Sequence, residues 1–252
     1  EVIARTFNID NEGGIKDPIG MNGIRLEVNA LLITASSPFI KNLTKAIEKA
    51  KLDVRELVAG PMASAEAVLS KRQKELGAVV IDIGAETSSM AVYEEGEVAH
   101  VRIFPVGSAH ITNDIAIGLR TDLDTAEKVK VRFGSCLPEA IRKTETIDLS
   151  EVGVGEQIHV RRQEVAEIIV CRMREIIDLV NRELEKINRK GFLPAGAILV
   201  GGGAKIPGLV ELAKNELMLP VKIGYPGDLQ GLVDQVADPA FAKAVGLIRL
   251  IE

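Results

Sequence analysis

The sequence has few cysteines, no excess of basic charge and no long apolar run. Its 252 residues include only Cys136 and Cys171, so no disulfide framework can be read and a reducing compartment is expected. No stretch approaches the roughly 20 apolar residues that cross a bilayer, and no signal-peptide pattern is visible. Thirty-one Lys and Arg stand against 36 Asp and Glu, a net charge of −5. A nucleic-acid surface needs a concentrated basic face, so this balance excludes nucleic acid from the expected partners. The two signs are interspersed, which argues against strong electrostatic steering. There is no internal repeat or low-complexity tract. What is present is 46% hydrophobic residues in a chain long enough for one large domain or two modest ones.

The periodicity alternates between strands and helices, which predicts an α/β fold. Val2–Ile9 has strand character, Asn11–Gly14 and Asp17–Gly20 read as turns, and Leu31-Leu32-Ile33 within Ile24–Thr34 reads as a buried strand. A helix opens at Ser37 with Pro38 in its first position, and Phe39, Ile40, Leu43 and Ile47 give it one face to bury. A small-residue helix follows near Met62–Leu69. Ala78–Ile81 is a short apolar run, and strands near Ser88–Tyr93 and Val98–Val106 are joined through Glu94-Glu95-Gly96. Helices are expected around Ile111–Leu119 and over Asp122–Phe133, where Asp124 and Glu127 suit a capping pair. The stretch Gly134–Gly155 is mixed, with a strand near Ile158 and Val160. A long helix runs over Arg161–Ile187, then come a buried strand at Ile198–Val200, a helix over Leu209–Leu217, a strand at Val221–Ile223 and a last helix started by Asp238-Pro239. That last helix has no cationic face and reads as core rather than as a membrane anchor.

Two glycine-containing turns carry the chemistry. Asp82-Ile83-Gly84-Ala85-Glu86-Thr87 follows a buried strand. A carboxylate at a strand end suits a hydrated magnesium ion, Gly84 admits a phosphate close to the backbone, and Thr87 offers a hydroxyl and an amide. The same residues also suit an ordinary hairpin turn. Gly201-Gly202-Gly203 lies between an apolar strand and an amphipathic helix. Three glycines clear the approach of a flat ligand, although they equally suit a flexible connector, and the spacing fits neither the Rossmann nor the P-loop fingerprint. Glu127 and Lys130 share a helix face, placed either to bond a ribose and a base or to form a solvated pair.

Together these segments resemble the actin, hexokinase and DnaK-chaperone superfamily and, within it, the FtsA family of bacterial cell division. Glu12–Leu26, Thr112-Asn113-Asp114-Ile115-Ala116, Ala126-Glu127-Lys128-Val129-Lys130 and Val200–Leu209 carry the likeness, in their order and spacing. The resemblance implies an actin-like ATPase (ribonuclease H-like) α/β fold with a second subdomain inserted in its C-terminal half. It also implies that the N-terminal part, with the first phosphate loop, and a C-terminal membrane helix are missing from this sequence. The implied units are residues 1–51, part of a family-specific extra subdomain and the following helix; 52–76, the remainder of the N-terminal subdomain; 77–119 with 192–252, the core that carries the nucleotide loops; and 120–191, the inserted partner-binding subdomain.

The implied cofactors are ATP and Mg2+. By resemblance, Asp82, Gly84 and Thr87 form the second phosphate loop with Asp82 at the metal, Glu127 and Lys130 face the nucleoside, and Gly202 and Gly203 lie beside the adenine. The implied role is a polymerising scaffold that binds the C-terminal tail of the tubulin-like protein FtsZ through Arg162, Arg172 and Glu175. It would meet other divisome proteins and touch the membrane only through the missing helix, at the cytoplasmic face of the division site. The pattern departs from the family at Ala85 and Glu86, which replace two glycines, at Ser89, which replaces an acid, and at Gly60, where many relatives carry a water-positioning glutamate. A carboxylate at Glu86 about 4 Å from a phosphate would repel it by ~4 kcal/mol, and a left-handed backbone there would add roughly 1–2 kcal/mol of strain. At most a weak ATPase is expected, with binding favoured over efficient hydrolysis. The alternatives are a PilM-like pilus-assembly adaptor, a sugar-kinase-type phosphotransferase, or a nucleotide-free adaptor.

Overall fold

The computed structural model describes residues 1–153, 158–227 and 236–250. The end of the mixed 134–155 stretch lies outside them, as do residues 228–235 and 251–252 of the expected C-terminal unit. The chain opens with a three-stranded antiparallel sheet of β1 (Val2–Ile9), β2 (Glu12–Ile15) and β3 (Leu26–Leu32), in the order β2-β1-β3. Then come α1 (Ser37–Lys49), α2 (Gly60–Val68) and α3 (Lys71–Leu76). The central sheet holds β4 (Ala78–Ile83), β5 (Ser88–Glu94), β6 (Glu97–Phe104), β9 (Gly196–Val200) and β10 (Val221–Ile223), in the order β10-β9-β4-β5-β6. β10, β9 and β4 run parallel, while β5 and β6 return antiparallel to β4. α4 (Ser108–Leu119), α5 (Leu123–Phe133) and α6 (Arg162–Lys186) separate the two halves of this sheet in sequence. A small ladder of β7 (Thr146–Asp148) and β8 (His159–Arg161) leads into α6, and α7 (Leu209–Leu217) and α8 (Ala242–Arg249) complete the chain.

The central sheet is covered on both faces, so β4 is buried at all its positions. Alternate side chains separate the two cores. Val79, Ile81 and Ile83 join Met90, Val92, Ala197 and Leu199 in a large core with buried residues of α4 to α7. Ala78 and Val80 face the other way, with Ala91, Ile198 and Val200, against α2 and α8. Both sets are dominated by β-branched and small residues, which suits a pleated strand packed on two sides. α2 and α8 cross closely because their contact is made of small residues. A Cβ built on Gly246 would lie 1.6 Å from the Ala63 carbonyl oxygen. The last helix, expected to be core, buries one face only: Ala242 and Val245 are buried, whereas Phe241, Leu247 and Ile248 are exposed.

Four local expectations change. The first turn is Asp10–Asn11, with Asp10 at φ 51, so Glu12–Ile15 pairs with β1 rather than turning. The Leu31–Ile33 segment is not a buried strand, because the small sheet is covered on one side only and Leu32 is 65% exposed. α1 has its expected start, but none of its residues is buried, and Phe39 is 77% exposed. Among the described residues no element covers its apolar face. The helix cap at α5 is Asp122, which accepts the Thr125 amide at 2.9 Å, and not Asp124. Asp122 precedes the first turn, where an acceptor meets free amides, whereas Asp124 already lies inside it.

The α2–α8 crossing gives a stability prediction. Gly246→Ala forces a methyl against main chain that cannot yield, so it should cost about 2 kcal/mol or more, read as a lowered thermal midpoint; an unchanged midpoint would contradict this packing.

Candidate functional site

The ends of β4 and β9 bring the two glycine turns together. In the parallel ladder Asp82 stands opposite Val200, so both strands deliver their turns at the same level of the sheet. Gly201 has φ 87, and a Cβ there would lie 2.5 Å from Asp82 Oδ1 and from the Ile83 carbonyl oxygen. A Cβ on Gly203 would collide with Ile83 Cγ2 at 2.4 Å. Both positions are glycine because the neighbouring turn is that close. Gly202 differs, since nothing lies within 4 Å of its hypothetical Cβ and it is exposed. Of the three glycines, it alone leaves open space for a ligand.

The Asp82 turn is closed by a hydrogen bond from the Gly84 amide to the Thr87 carbonyl, 3.0 Å. Ala85, Glu86 and Thr87 are exposed, and neither Ala85 nor Glu86 has a positive φ. The strain expected of a glutamate at 86 is therefore absent. The Gly84 and Ala85 carbonyls accept the amides of Ser108 and Ala109 at 2.8 and 2.9 Å, fixing the turn to the start of α4. Lys130 reaches this start from α5. Its ammonium donates to the Ser108 carbonyl at 3.0 Å and the Thr112 hydroxyl at 2.8 Å, and it pairs with Glu127 at 2.6 Å. The Lys130 side chain is 7% exposed and that of Glu127 48%, so the two are not a fully solvated pair. Burial pushes the Glu127 carboxyl up, but hydrogen bonds from Lys130 and Thr112 and the Lys130 charge outweigh it and hold the pKa below its usual value.

Asp82 is 6% exposed, and its Oδ2 accepts the Ser64 hydroxyl at 2.8 Å and lies 3.2 Å from Lys243 Nζ of α8. Magnesium demands a near-octahedral oxygen shell at about 2.1 Å. A carboxylate already bonded to a hydroxyl and an ammonium does not fit that ion as it stands. Among the described residues no group of three or more His, Cys, Asp or Glu is placed to hold a metal. Ser64 and Lys243 are site residues that the sequence reading missed. The one available signal was a lysine in the first turn of a helix that is otherwise small and apolar up to its closing Arg249. Lys205 and Asp238 pair at 2.7 Å, and the Gly201 amide donates to the Pro239 carbonyl at 2.9 Å, so the glycine loop is pinned to the turn that launches α8.

The residues expected at the partner surface do not all meet. Arg172 grips Asp114 of α4 with two hydrogen bonds, 2.7 and 2.9 Å, and also pairs with Glu175. An open cleft of about 700 Å³ between α4 and α6 is lined by Asp114, Ile117, Ile168, Cys171, Arg172 and Glu175, among others. Arg162 is absent from that lining. It lies about 15 Å earlier along the helix axis, bonded to Glu145 at 2.5 Å and to the Phe133 carbonyl at 3.0 Å.

A family model described as "Cell division protein FtsA" matches residues 79–246, and one described as "SHS2 domain inserted in FTSA" matches residues 1–34. Cell division protein FtsA of Pseudomonas aeruginosa is 35% identical over 98% of this chain and 59% of its own length. The protein of the same name from Escherichia coli K12 is 37% identical over 98% and 60%, and that of Bacillus subtilis is 35% identical over 99% and 55%. The chain thus spans less than two thirds of the curated relatives it matches. Among solved structures, the PilM-PilN type IV pilus biogenesis complex covers all of this chain and 67% of its own at 21% identity and a TM-score of 0.69. MreB5 of Spiroplasma citri bound to ADP covers 99% and 87% at 17% identity and a TM-score of 0.68. At such identities the likeness shows the fold, which is that of the actin-like ATPases.

The Lys130 network yields a pH prediction. Glu127→Gln keeps the shape and removes the charge. Because the folded-state pKa lies below the unfolded value near 4.5, the wild-type advantage is full above that value and lost as the pH falls through the lowered one. For a half-exposed carboxylate the advantage should be about 0.5 kcal/mol, measured as a midpoint difference that closes on acidification. Lys130→Met removes the cation from Glu127, which keeps the Thr112 hydroxyl, and should cost about 1–2 kcal/mol at neutral pH, read as a lowered thermal midpoint.

Proposed function

This chain belongs to the FtsA family of cell-division proteins, and from that premise we propose that it is the nucleotide-binding core of a division scaffold, taking ATP across the paired turns of β4 and β9. One observation carries the reading: Asp82 is in register with Val200, and the turns that follow them touch. Gly84 and Thr87 would receive the phosphates, Gly202 and Gly203 the adenine, and Glu127 with Lys130 the nucleoside. Glu86 is exposed, so its carboxylate is free to turn into solvent, where screening reduces the expected repulsion. Magnesium, expected beside Asp82, is left out of this reading because Lys243 and Ser64 engage that carboxylate. The role assigned here is binding and not hydrolysis, since Gly60 and Ser89 provide no acid to position water.

The partners proposed are the FtsZ C-terminal tail, other copies of the chain in a filament, and other divisome proteins. The tail would lie in the cleft beside α6, where Arg172 and Glu175 offer both charges to a short peptide. Arg162, engaged with Glu145, would be peripheral to it. No helix among the described residues is long and apolar enough to cross a membrane. Attachment to the cytoplasmic face of the cell membrane would come from a C-terminal helix outside this sequence. Residues 1–51, 52–76, 77–119 with 192–252, and 120–191 would serve as extra subdomain, N-terminal remainder, nucleotide core and partner-binding insert. The match of residues 1–34 to the inserted domain disfavours a pilus adaptor, and the absence of an acidic base at Gly60 disfavours a sugar kinase.

Calorimetric titration of the full-length protein with ATP tests the site. Saturable binding is expected, and Gly202→Val should weaken it at least tenfold with an unchanged thermal midpoint, because the new side chain fills open space rather than core. A folded protein that binds no ATP would refute the reading. For the partner surface, Arg172→Glu should abolish recruitment of FtsZ tail peptide; retained affinity would remove α6 from the proposed contact.

A further inference from the structure

We propose that Lys243 supplies the site's own cation, so that a nucleoside polyphosphate binds with an affinity nearly independent of divalent metal. The inference rests on the nucleotide reading above and deepens it. A carboxylate as buried as Asp82 requires a partner of opposite charge. Among the described residues that partner is the Lys243 ammonium, 3.2 Å from Oδ2, with the Ser64 hydroxyl on the same oxygen. Oδ1 faces the backbone of Gly201. The carboxylate is thus enclosed by one ammonium, one hydroxyl and main chain.

The route of the lysine is built into the fold. Lys243 leaves α8 and passes over Gly60 at the start of α2. A Cβ on Gly60 would lie 3.0 Å from Lys243 Cε, 3.2 Å from Cδ and 3.5 Å from Nζ. A side chain at 60 would touch the lysine stem, which would have to give by only a few tenths of an ångström, so Gly60 leaves the lysine an unobstructed path. The ammonium is not spent on Asp82 alone. The Lys243 side chain is 46% exposed against 7% for Asp82, so the lysine meets the buried carboxylate from the solvent side. An ammonium carries three donors; a phosphate oxygen arriving at the Gly84–Thr87 turn would find one of them free. A divalent ion would have to displace the ammonium from Asp82 or share the carboxylate with it against like-charge repulsion.

The test is ATP affinity of the full-length protein in excess magnesium and in EDTA, for wild type, Lys243→Thr and Lys243→Arg. Wild type and Lys243→Arg should change less than threefold on chelation. Lys243→Thr should lose at least tenfold in EDTA and regain it in magnesium, because Asp82 is then free for the metal. Wild type losing tenfold or more on chelation, as Lys243→Thr does, would overturn the inference while leaving the nucleotide site intact. Absence of binding in every variant and both buffers would overturn the nucleotide reading, and this one with it. Should Lys243→Thr unfold, wild type and Lys243→Arg decide the matter through their response to EDTA alone.

Discussion

The parallel ladder between β4 and β9 is the constraint on which the candidate site depends. More than a hundred residues separate the two strands in sequence, among them β5 to β8 and α4 to α6, yet their register puts Asp82 level with Val200. Main-chain hydrogen bonds set that register, and the two-sided core holds it, since a slip of one residue would send Val79, Ile81 and Ile83 to the wrong face. The turns beyond the strands then have no freedom to separate. Gly201 and Gly203 are consequences of this closeness, and only Gly202 is free of it.

The same framework accounts for the charges. Lys130 and Lys243 come from opposite faces of the central sheet, one from α5 and the other from α8. Each is secured to a different turn-bearing element: Lys130 to the start of α4, and Lys243 to the carboxylate at the end of β4. Arg172 makes a third such link, tying α6 to α4 through Asp114. Charged side chains here hold the helices in their places on the sheet, while the apolar contacts provide most of the burial.

Much of the fold was legible in the sequence because the central strands β4, β5 and β9 are short and buried and the helices are periodic. The run Ala78–Ile83, the stripe of the long helix and the Asp238-Pro239 start each carry a local signal that tertiary contacts do not override. The exposed apolar face of α1 was not legible, because periodicity reports that a face is apolar and not that something covers it. Asp122 was passed over as a cap because Asp124 and Glu127 offered the better-known spacing. The pairing of Asp82 with Lys243 was hidden for a different reason. Its members lie far apart in sequence, and no local pattern joins them.

The attachment of the Gly84–Ala85 carbonyls to the Ser108 and Ala109 amides uses main-chain atoms alone. A joint of this kind does not register which side chains the loop carries. Substitution at Ala85 or Glu86 can therefore change the electrical character of the site without moving the path of the loop.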